Sequence, residues 1–357
     1  MKFERLYYRV ISPQRKFYHF PLYLILKVLS LVYFWGHCFR MWAYRWGLFP
    51  SHKLDCRVIS VGNLTLGGTG KTPVVMMIAE TLRGNGHKPG ILSRGYGGNS
   101  NSEVNVVCDG KDILLSPDVA GDEAVMMAQR LKNVPVLVGS DRYQIGRYAI
   151  EHFGVDTLIL DDGFQHLSLK RDMNILLFDH QRPFGNGQLF PAGELREPRK
   201  AARRADFVCI TRYSGASYPP GIGEQLIKDL PIVKSTLRLD SLLKLDDGEV
   251  LDVKELHDQP VAAFCGIANP DDFRRILEQT RARVVYYHPF PDHHEYTVAD
   301  LKSVEESARK MGAKLLLTTE KDAVKLKAES VGLPFYKVAL EMEILEGREV
   351  FNQNVLS

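Results

Sequence analysis

Between Val58 and Val75 the chain reads VISVGNLTLGGTGKTPVV: a β-branched apolar run, then Gly62, Gly67, Gly68 and Gly70, then Lys71-Thr72 opening a helix-like stretch. Glycines let backbone N–H groups turn inward on phosphate oxygens, and the N-terminus of the following helix adds the positive end of its dipole. In such a loop Lys71 reaches the β- and γ-phosphates and the Thr72 hydroxyl can ligate Mg²⁺. The common phosphate-loop pattern of Gly, four residues, then Gly-Lys-Ser/Thr is not met in full. Thr65 stands where the first glycine belongs, with Gly67 and Gly68 inside the loop. The expected cradle is therefore Thr65, Gly67, Gly68, Thr69, Gly70, Lys71 and Thr72. A glycine-rich turn with an incidental lysine is the bland alternative, and the strand before and helix after argue against it.

A second stretch, VDTLILDDGFQH (155–166), reads as a buried strand ending in Asp161 and Asp162. An acid at such a strand end holds or orients the Mg²⁺ that neutralises nucleotide phosphates, although paired acids also occur as plain turn residues. The base-reading pattern Asn-Lys-x-Asp of GTPases is absent. TEKD (319–322) comes nearest but puts Lys321 directly beside Asp322, so ATP is the expected nucleotide.

The elements that must position these groups follow from periodicity. After Pro50, short β-branched runs at 57–62, 88–93, 134–139, 155–160, 174–179 and 206–211 alternate with helical stretches at 71–84, 121–132 and 141–153. That alternation predicts a parallel α/β sheet. Around 231–255 the pattern becomes hairpin-like, with Asp247-Gly248 as its turn. A second α/β block follows, with strands at 260–267, 284–289, 314–318 and 335–340 and helices at 270–282 and 297–311. The expected organisation is an N-terminal segment 1–50, a P-loop NTPase-type domain 51–230, a β-ribbon 231–258 and a smaller α/β domain 259–357.

Residues 1–50 carry eight Lys/Arg against the single acid Glu4, and all 3 tryptophans of the chain (Trp35, Trp42, Trp46). From Phe20 to Phe39 the sequence is apolar except for Lys27, Ser30 and His37. About 20 apolar residues cross a bilayer as a helix, so this run is a borderline span. Flanking aromatics and arginines mark an interfacial segment, and the upstream basic residues favour an anionic leaflet. A cleaved signal peptide fits poorly, because no small-residue cleavage site follows. A buried core helix is the alternative. Nucleic-acid binding is not expected, since the basic residues flank an oily helix rather than line a polar face. The 5 cysteines are scattered without CxxC or metal spacing, which excludes a disulfide framework.

Several strings in order resemble one family, the tetraacyldisaccharide 4′-kinases: SVGNLTLGGTGKTP (60–73), SRGYGG (93–98), GDEA (121–124), DDGFQH (161–166), GNGQLFPAGELREP (185–198), FCGIANP (264–270), FPDHHEYT (290–297) and LLTTEKDAVKL (316–326). Thr65 belongs to the phosphate-loop variant of that family, GNxTxGGTGKT. The resemblance implies Mg²⁺-dependent transfer of the ATP γ-phosphoryl to the 4′-hydroxyl of an acylated glucosamine disaccharide 1-phosphate. It also implies work at the cytoplasmic face of a bacterial inner membrane, which accounts for the oily N-terminus.

By the same resemblance Asp122 corresponds to the catalytic base and His293 to its histidine partner. The two are far apart in sequence, one in each α/β block, so domain closure is expected to assemble them. Glu123 joins Thr72, Asp161 and Asp162 as a candidate for Mg²⁺ organisation. Arg196 and Glu197 resemble active-site residues of unassigned role, and Arg94 is a candidate phosphate contact. Two positions depart from the family pattern: Ala124 and Glu194 stand where proline is usual. His288, Asp292, His293, His294 and Glu295 by themselves would read as a solvated loop or a zinc site, but adjacent His293 and His294 cannot easily share one metal. His294 remains without a role. The competing class is a membrane-associated P-loop ATPase or nucleotide switch acting on a protein partner, which has no evident use for the FPDHHEYT block.

Overall fold

The computed structural model describes residues 2–99, 102–215, 227, 230–326 and 332–357. In chain order its main elements are α1 (Lys2–Ile11), α2 (Phe20–Arg45), β1 (Arg57–Asn63), α3 (Lys71–Gly84), β2 (Pro89–Ser93), β3 (Asn105–Cys108), α4 (Pro117–Ala120), α5 (Asp122–Arg130) and β4 (Val136–Val138). They continue as α6 (Arg142–Phe153), β5 (Thr157–Asp161), β6 (Met173–Asp179), β7 (Phe207–Thr211), β8 (Ile232–Lys244), β9 (Val250–Leu251) and β10 (Pro260–Cys265). The last are α7 (Pro270–Gln279), β11 (Arg283–Pro289), α8 (Val298–Lys310), β12 (Leu315–Thr319), α9 (Glu320–Ala323), β13 (Phe335–Glu346) and α10 (Arg348–Leu356).

The chain forms two compact units that differ from the linear boundaries expected above. The first comprises Met1–Leu92, Ser140–Thr236 and Ile344–Ser357; the second comprises Ser93–Gly139 and Leu237–Glu343. Ser93–Gly139 therefore leaves the P-loop unit, for a reason visible in its ion pairs. Arg130 at the end of α5 lies 3.2 Å from Glu320 and 3.7 Å from Asp240, tying the segment to the later block. The C-terminus returns to the first unit, where Arg57 donates to the carbonyls of Asn354 and Val355 at the end of α10. The units divide within β8 and within β13. The anticipated ribbon is present as β8 against β9, antiparallel, with Leu242 opposite Leu251 and the turn at Gly248.

In the first unit, parallel strands run in the order β8-β7-β6-β1-β5-β2. Strands β1, β2, β5 and β7 are buried almost throughout, the near-continuous apolar pattern of a parallel sheet covered on both faces. The register pairs Val61 of β1 with Asp161 of β5. The loop after β1 and the two acids after β5 thus leave the sheet at the same height. In the second unit β11-β10-β12-β13 are parallel, and β3 pairs antiparallel with β4. Alternate residues of β10 serve opposite faces. Val261, Ala263 and Cys265 pack with Phe273, Ile276 and Leu277 of α7. Ala262 and Phe264 pack with Leu301, Val304 and Ala308 of α8.

Helix α2 leaves most of its large apolar residues in the open, and of its apolar residues only Ala43 is buried. Ile25, Val28, Leu31, Val32, Trp35 and Phe39 are all exposed, and Val32 reaches 65%. Its docked side is polar. Ser30 Oγ donates to Leu189 O at 2.9 Å and accepts from Ala192 N at 2.9 Å, Lys27 Nζ reaches Gln188 Oε1 at 2.5 Å, and Arg40 reaches Gln165 O at 2.7 Å. The alternative of a buried core helix is thereby excluded.

Gly62 in β1 is one glycine that close approach requires. A Cβ there would lie 2.7 Å from Phe164 Cβ and 2.9 Å from Phe164 N. Overpacking of this kind costs about 1–3 kcal/mol. Gly62→Ala is expected to lose that amount in urea denaturation; an unchanged midpoint would show that Phe164 shifts freely.

Candidate active site

The first unit collects the groups expected to handle phosphate. Gly70 caps α3 at φ 77°, a left-handed conformation that glycine adopts without steric cost, and Gly67 has φ 100°. Thr72 falls in the first turn of α3 and is buried. The loop is braced from outside. Thr211 Oγ1 donates to Thr69 O at 2.8 Å, Arg212 to Gly68 O at 2.9 Å, and Leu66 N to Glu194 O at 2.7 Å. Thr65 forms a bridge with Leu195 and its carbonyl accepts from Asn63 Nδ2 at 2.9 Å. The backbone of Thr65 thus joins the loop to the AGELREP segment, while its hydroxyl accepts from Asn63 Nδ2 at 3.3 Å.

Lys71 Nζ lies 3.3 Å from Asn63 Oδ1 and 3.4 Å from Asp162 Oδ1. Arg196 binds the other oxygen of Asp162 at 2.7 Å. Burial alone would raise the Asp162 carboxyl, but the charges of Lys71 and Arg196 outweigh it and hold the group below its ordinary range. Asp161, next to it, is buried at the end of β5. Glu197 is buried against Arg204 at 2.6 Å; burial pushes its carboxyl up despite that partner. Glu194, where the family pattern has proline, is also buried. It accepts from Arg182 at 2.8 Å and from Asn186 N at 2.8 Å, so it closes the preceding turn.

The second unit brings Asp122 and His293 into direct contact: His293 Nδ1 is 3.1 Å from Asp122 Oδ2. The expectation that the pair sits in separate domains and meets by closure is corrected, because Ser93–Gly139 belongs to the same unit as residues 237–343. Asp122 opens α5, where the helix dipole favours a carboxylate. Burial opposes its ionisation, yet the hydrogen bond to His293 and the charge of Lys325 at 3.2 Å bring its carboxyl below the usual value. His293 occupies φ 57°, a conformation costing a non-glycine residue roughly 1–2 kcal/mol. It is held there by its N–H, which donates to Gly266 O at 3.1 Å and Asp292 Oδ1 at 3.0 Å.

Glu123 and Arg94 lie in the second unit, apart from the unit holding Thr72, Asp161 and Asp162. Glu123 faces Lys321 at 3.4 Å, and Arg94 is exposed. His294 is accounted for: its Nε2 lies 3.2 Å from Asp300, which caps α8, and its ring stacks on Phe290 at 4.6 Å. Two residues missed by sequence reasoning are Lys321 and Lys325. The signal is present in TTEKDAVKL, where an i, i+4 pair of lysines follows a strand, but neither the base-reading comparison nor the family resemblance assigns those lysines a role. Among the described residues no group of three or more His, Cys, Asp or Glu side chains is arranged to hold a metal. That removes the zinc reading of residues 288–295.

Comparison with known proteins agrees over nearly the whole length. The profile of the family described as Tetraacyldisaccharide-1-P 4′-kinase matches residues 22–357. The tetraacyldisaccharide 4′-kinase of Syntrophus aciditrophicus is 45% identical over 336 residues, 91% of this chain and 90% of that relative. Its counterpart in Geobacter sulfurreducens is 43% identical over 308 residues, 86% of this chain and 85% of the relative. Among solved structures, LpxK from Aquifex aeolicus in complex with ATP matches with a TM-score of 0.77 at 32% identity, covering 94% of this chain and 98% of that one.

The depressed Asp162 carboxyl has a consequence for acid stability. A group whose folded pKa is lowered contributes stability above its unfolded value, near 3.9 for Asp, and loses it as pH falls through the folded value. Asp162→Asn should therefore be less stable than the parent at neutral pH, with the gap narrowing below about pH 4. Chemical denaturation at a series of pH values reads this directly. A gap that stays constant through the acid range would remove the ion pairs as its cause.

Proposed function

Since the chain belongs to the tetraacyldisaccharide-1-P 4′-kinase family, we propose that it transfers the γ-phosphoryl of ATP to the 4′-hydroxyl of a tetraacylated glucosamine disaccharide 1-phosphate, a step of lipid A biosynthesis. The observation that carries the reading is the Asp122–His293 contact at 3.1 Å, in a chain whose other unit holds the phosphate loop. A nucleotide switch needs the loop but not a carboxylate and imidazole arranged as an acid–base pair.

The backbone of Gly67, Gly68, Thr69 and Gly70 with the N-terminus of α3 receives the phosphates. Lys71 leaves Asp162 and Asn63 for the β/γ-phosphate oxygens, and Arg196 keeps Asp162 in place as it does so. The donor set suits Mg²⁺: Thr72 and Asp161 are buried, Asp161 is in register with Val61 just before the loop, and these two with Asp162 offer only oxygen, as suits an ion commonly held by one or two carboxylates plus substrate phosphates. When bound, Mg²⁺ neutralises charge on the transferring phosphoryl group. In the second unit Asp122 accepts the proton of the sugar hydroxyl and His293 orients the carboxylate. A weakly basic carboxylate serves, because in a loose phosphoryl-transfer transition state the hydroxyl proton becomes acidic late.

An acylated acceptor calls for work at a membrane surface, and ATP as donor favours the cytoplasmic face of the bacterial inner membrane. Supporting this, the helical stretch Phe17–Arg45, which includes α2, is long and apolar enough to meet a bilayer and lies almost wholly unburied. Its polar contacts from Lys27 to Arg40 tie one side to the first unit, which favours a helix lying in one leaflet over one surrounded by lipid.

Incubation with γ-labelled ATP, Mg²⁺ and the tetraacyl disaccharide 1-phosphate should transfer label to lipid; label found only in free phosphate would sink the kinase reading. Lys71→Ala should lose transfer. Asp122→Ala should keep ATP binding and lose turnover by about 10²–10⁴-fold, the usual size of a general-base loss. Normal turnover by that variant would make Asp122 a bystander. For the membrane, Leu31→Glu with Trp35→Glu on the exposed side of α2 should shift the protein from the sedimenting membrane fraction to the supernatant, and continued sedimentation would move the attachment elsewhere.

A further inference from the structure

The Asp122–His293 pair is enclosed by two lysines that the reaction as described does not use. Thr319 caps α9 through its hydroxyl, which accepts from Asp322 N at 3.1 Å, and the turn continues to Lys325, whose N–H donates to Asp322 O at 3.0 Å. The i, i+4 spacing puts Lys321 and Lys325 on one side of that turn. Lys321 Nζ lies 3.3 Å from His293 Nε2, 3.2 Å from Asp292 Oδ1 and 3.4 Å from Glu123 Oε1. Lys325 Nζ lies 3.2 Å from Asp122 Oδ2 and 3.6 Å from Asp322 Oδ1, with the ring of Tyr296 5.4 Å away. Both side chains are nearly buried, at 14% and 11% exposure.

The mounting of this cluster is common to both partners. Asp322, fully buried, accepts from Gly266 N at 2.9 Å and from Thr319 Oγ1 at 2.6 Å. The carbonyl of the same Gly266 receives the N–H of His293. One residue after β10 therefore anchors the histidine loop and the lysine turn together. Gly266 leaves no room for a side chain, since a Cβ would meet Tyr296 Oη at 2.9 Å and Pro291 O at 3.0 Å.

We propose, resting on the acid–base reading of Asp122 and His293, that Lys321 is a positioning residue that fixes the ring tautomer of His293, while Lys325 fixes which oxygen of Asp122 meets the acceptor. An ammonium has three donors and no acceptor. Lys321 beside Nε2 therefore makes that nitrogen the acceptor, and the ring's one proton goes to Nδ1, facing Asp122. The other tautomer would aim an N–H at the ammonium and a lone pair at the carboxylate, two mismatched contacts in place of two good ones. The three donors of Lys321 match Asp292, Glu123 and His293. On Asp122, the His293 N–H and the Lys325 ammonium both converge on Oδ2, so Oδ1 is the oxygen that takes the hydroxyl proton. Asp292 Oδ1 lies 3.9 Å from Nε2 but is itself held by Lys321 at 3.2 Å, and the ring of Tyr96 is 5.7 Å from that of His293.

The test uses the full chain labelled with ¹⁵N-histidine, with His293→Gln identifying the signals of His293. Parent protein should show a protonated Nδ1 and an unprotonated Nε2. Lys321→Met should move both nitrogens toward averaged values and lower kcat about ten-fold, roughly the worth of one orienting hydrogen bond, without changing KM for ATP. Lys321→Gln, which keeps an N–H donor of similar reach, should retain the parent tautomer, and Lys321→Leu, with the same averaged signals expected, carries the measurement if the Met variant does not fold. Lys325→Met should lower kcat while leaving the His293 signals unchanged. Parent-like signals in Lys321→Met, or a changed tautomer in Lys321→Gln or Lys325→Met, would overturn the assignment. The nitrogen signals do not depend on turnover. A fully active Asp122→Asn would instead defeat the acid–base reading itself, so the two failures are distinguishable.

Discussion

A charge taken out of water must find a partner, and this requirement organises both catalytic regions. Asp162 holds Lys71 and Arg196, Asp179 holds Arg212, and Glu197 holds Arg204. Asp122 and Asp322 share Lys325. Of these acids, Asp122 and Asp162 are held below the ordinary carboxylate range by the cations that aim them. Lys71 illustrates the consequence. Its ammonium lies 3.4 Å from Asp162 Oδ1 and 3.3 Å from Asn63 Oδ1, so in the proposed function it is positioned beside the loop and would exchange one anionic partner for another when it meets phosphate.

Both units place these groups by the same geometric device. In parallel sheets, ligands meet the chain beyond the carboxyl ends of the strands. The phosphate loop follows β1, and Asp161 and Asp162 end β5, with Val61 and Asp161 in register. In the second unit Gly266 follows β10, His293 lies beyond β11 and Lys321 beyond β12. Here β10 is central, β11 on one side and β12 on the other, with α7 and α8 on opposite faces. The histidine loop and the lysine turn therefore emerge on either side of Gly266, and its N–H and C=O tie one to each.

Much of this was legible in the sequence because the signals are local. Strands β1, β5, β6, β7 and β10 and helices α3 and α6 begin and end within a few residues of their expected positions, since burial on both faces leaves continuous apolar runs. The division into units was not legible. Ser93–Gly139 reads as more of the P-loop domain until Arg130 is seen against Glu320 and Asp240, which are more than a hundred residues away in sequence. Adjacent His293 and His294 carry no local signal that separates them. Their different tasks arise because the left-handed backbone at His293 turns its ring to Asp122, while His294 turns to Asp300. Glu194, which stands where the family pattern has proline, gives no sign in the sequence that it is a buried acceptor for Arg182 and Asn186.

By itself the sequence determined the chemistry of the donor side: a glycine loop, one lysine, one hydroxyl and two acids, all within short spans whose conformation follows from neighbouring residues. It also determined the oily, basic N-terminus, because amphipathy and length are properties of composition. Tertiary structure decided the acceptor side. Asp122, His293, Lys321 and Lys325 come from three separated stretches, and whether they meet depends on strand order, on a single backbone φ and on the absence of a side chain at Gly266. A spacing pattern cannot encode which of two imidazole nitrogens faces a carboxylate; only the directions of the surrounding donors do.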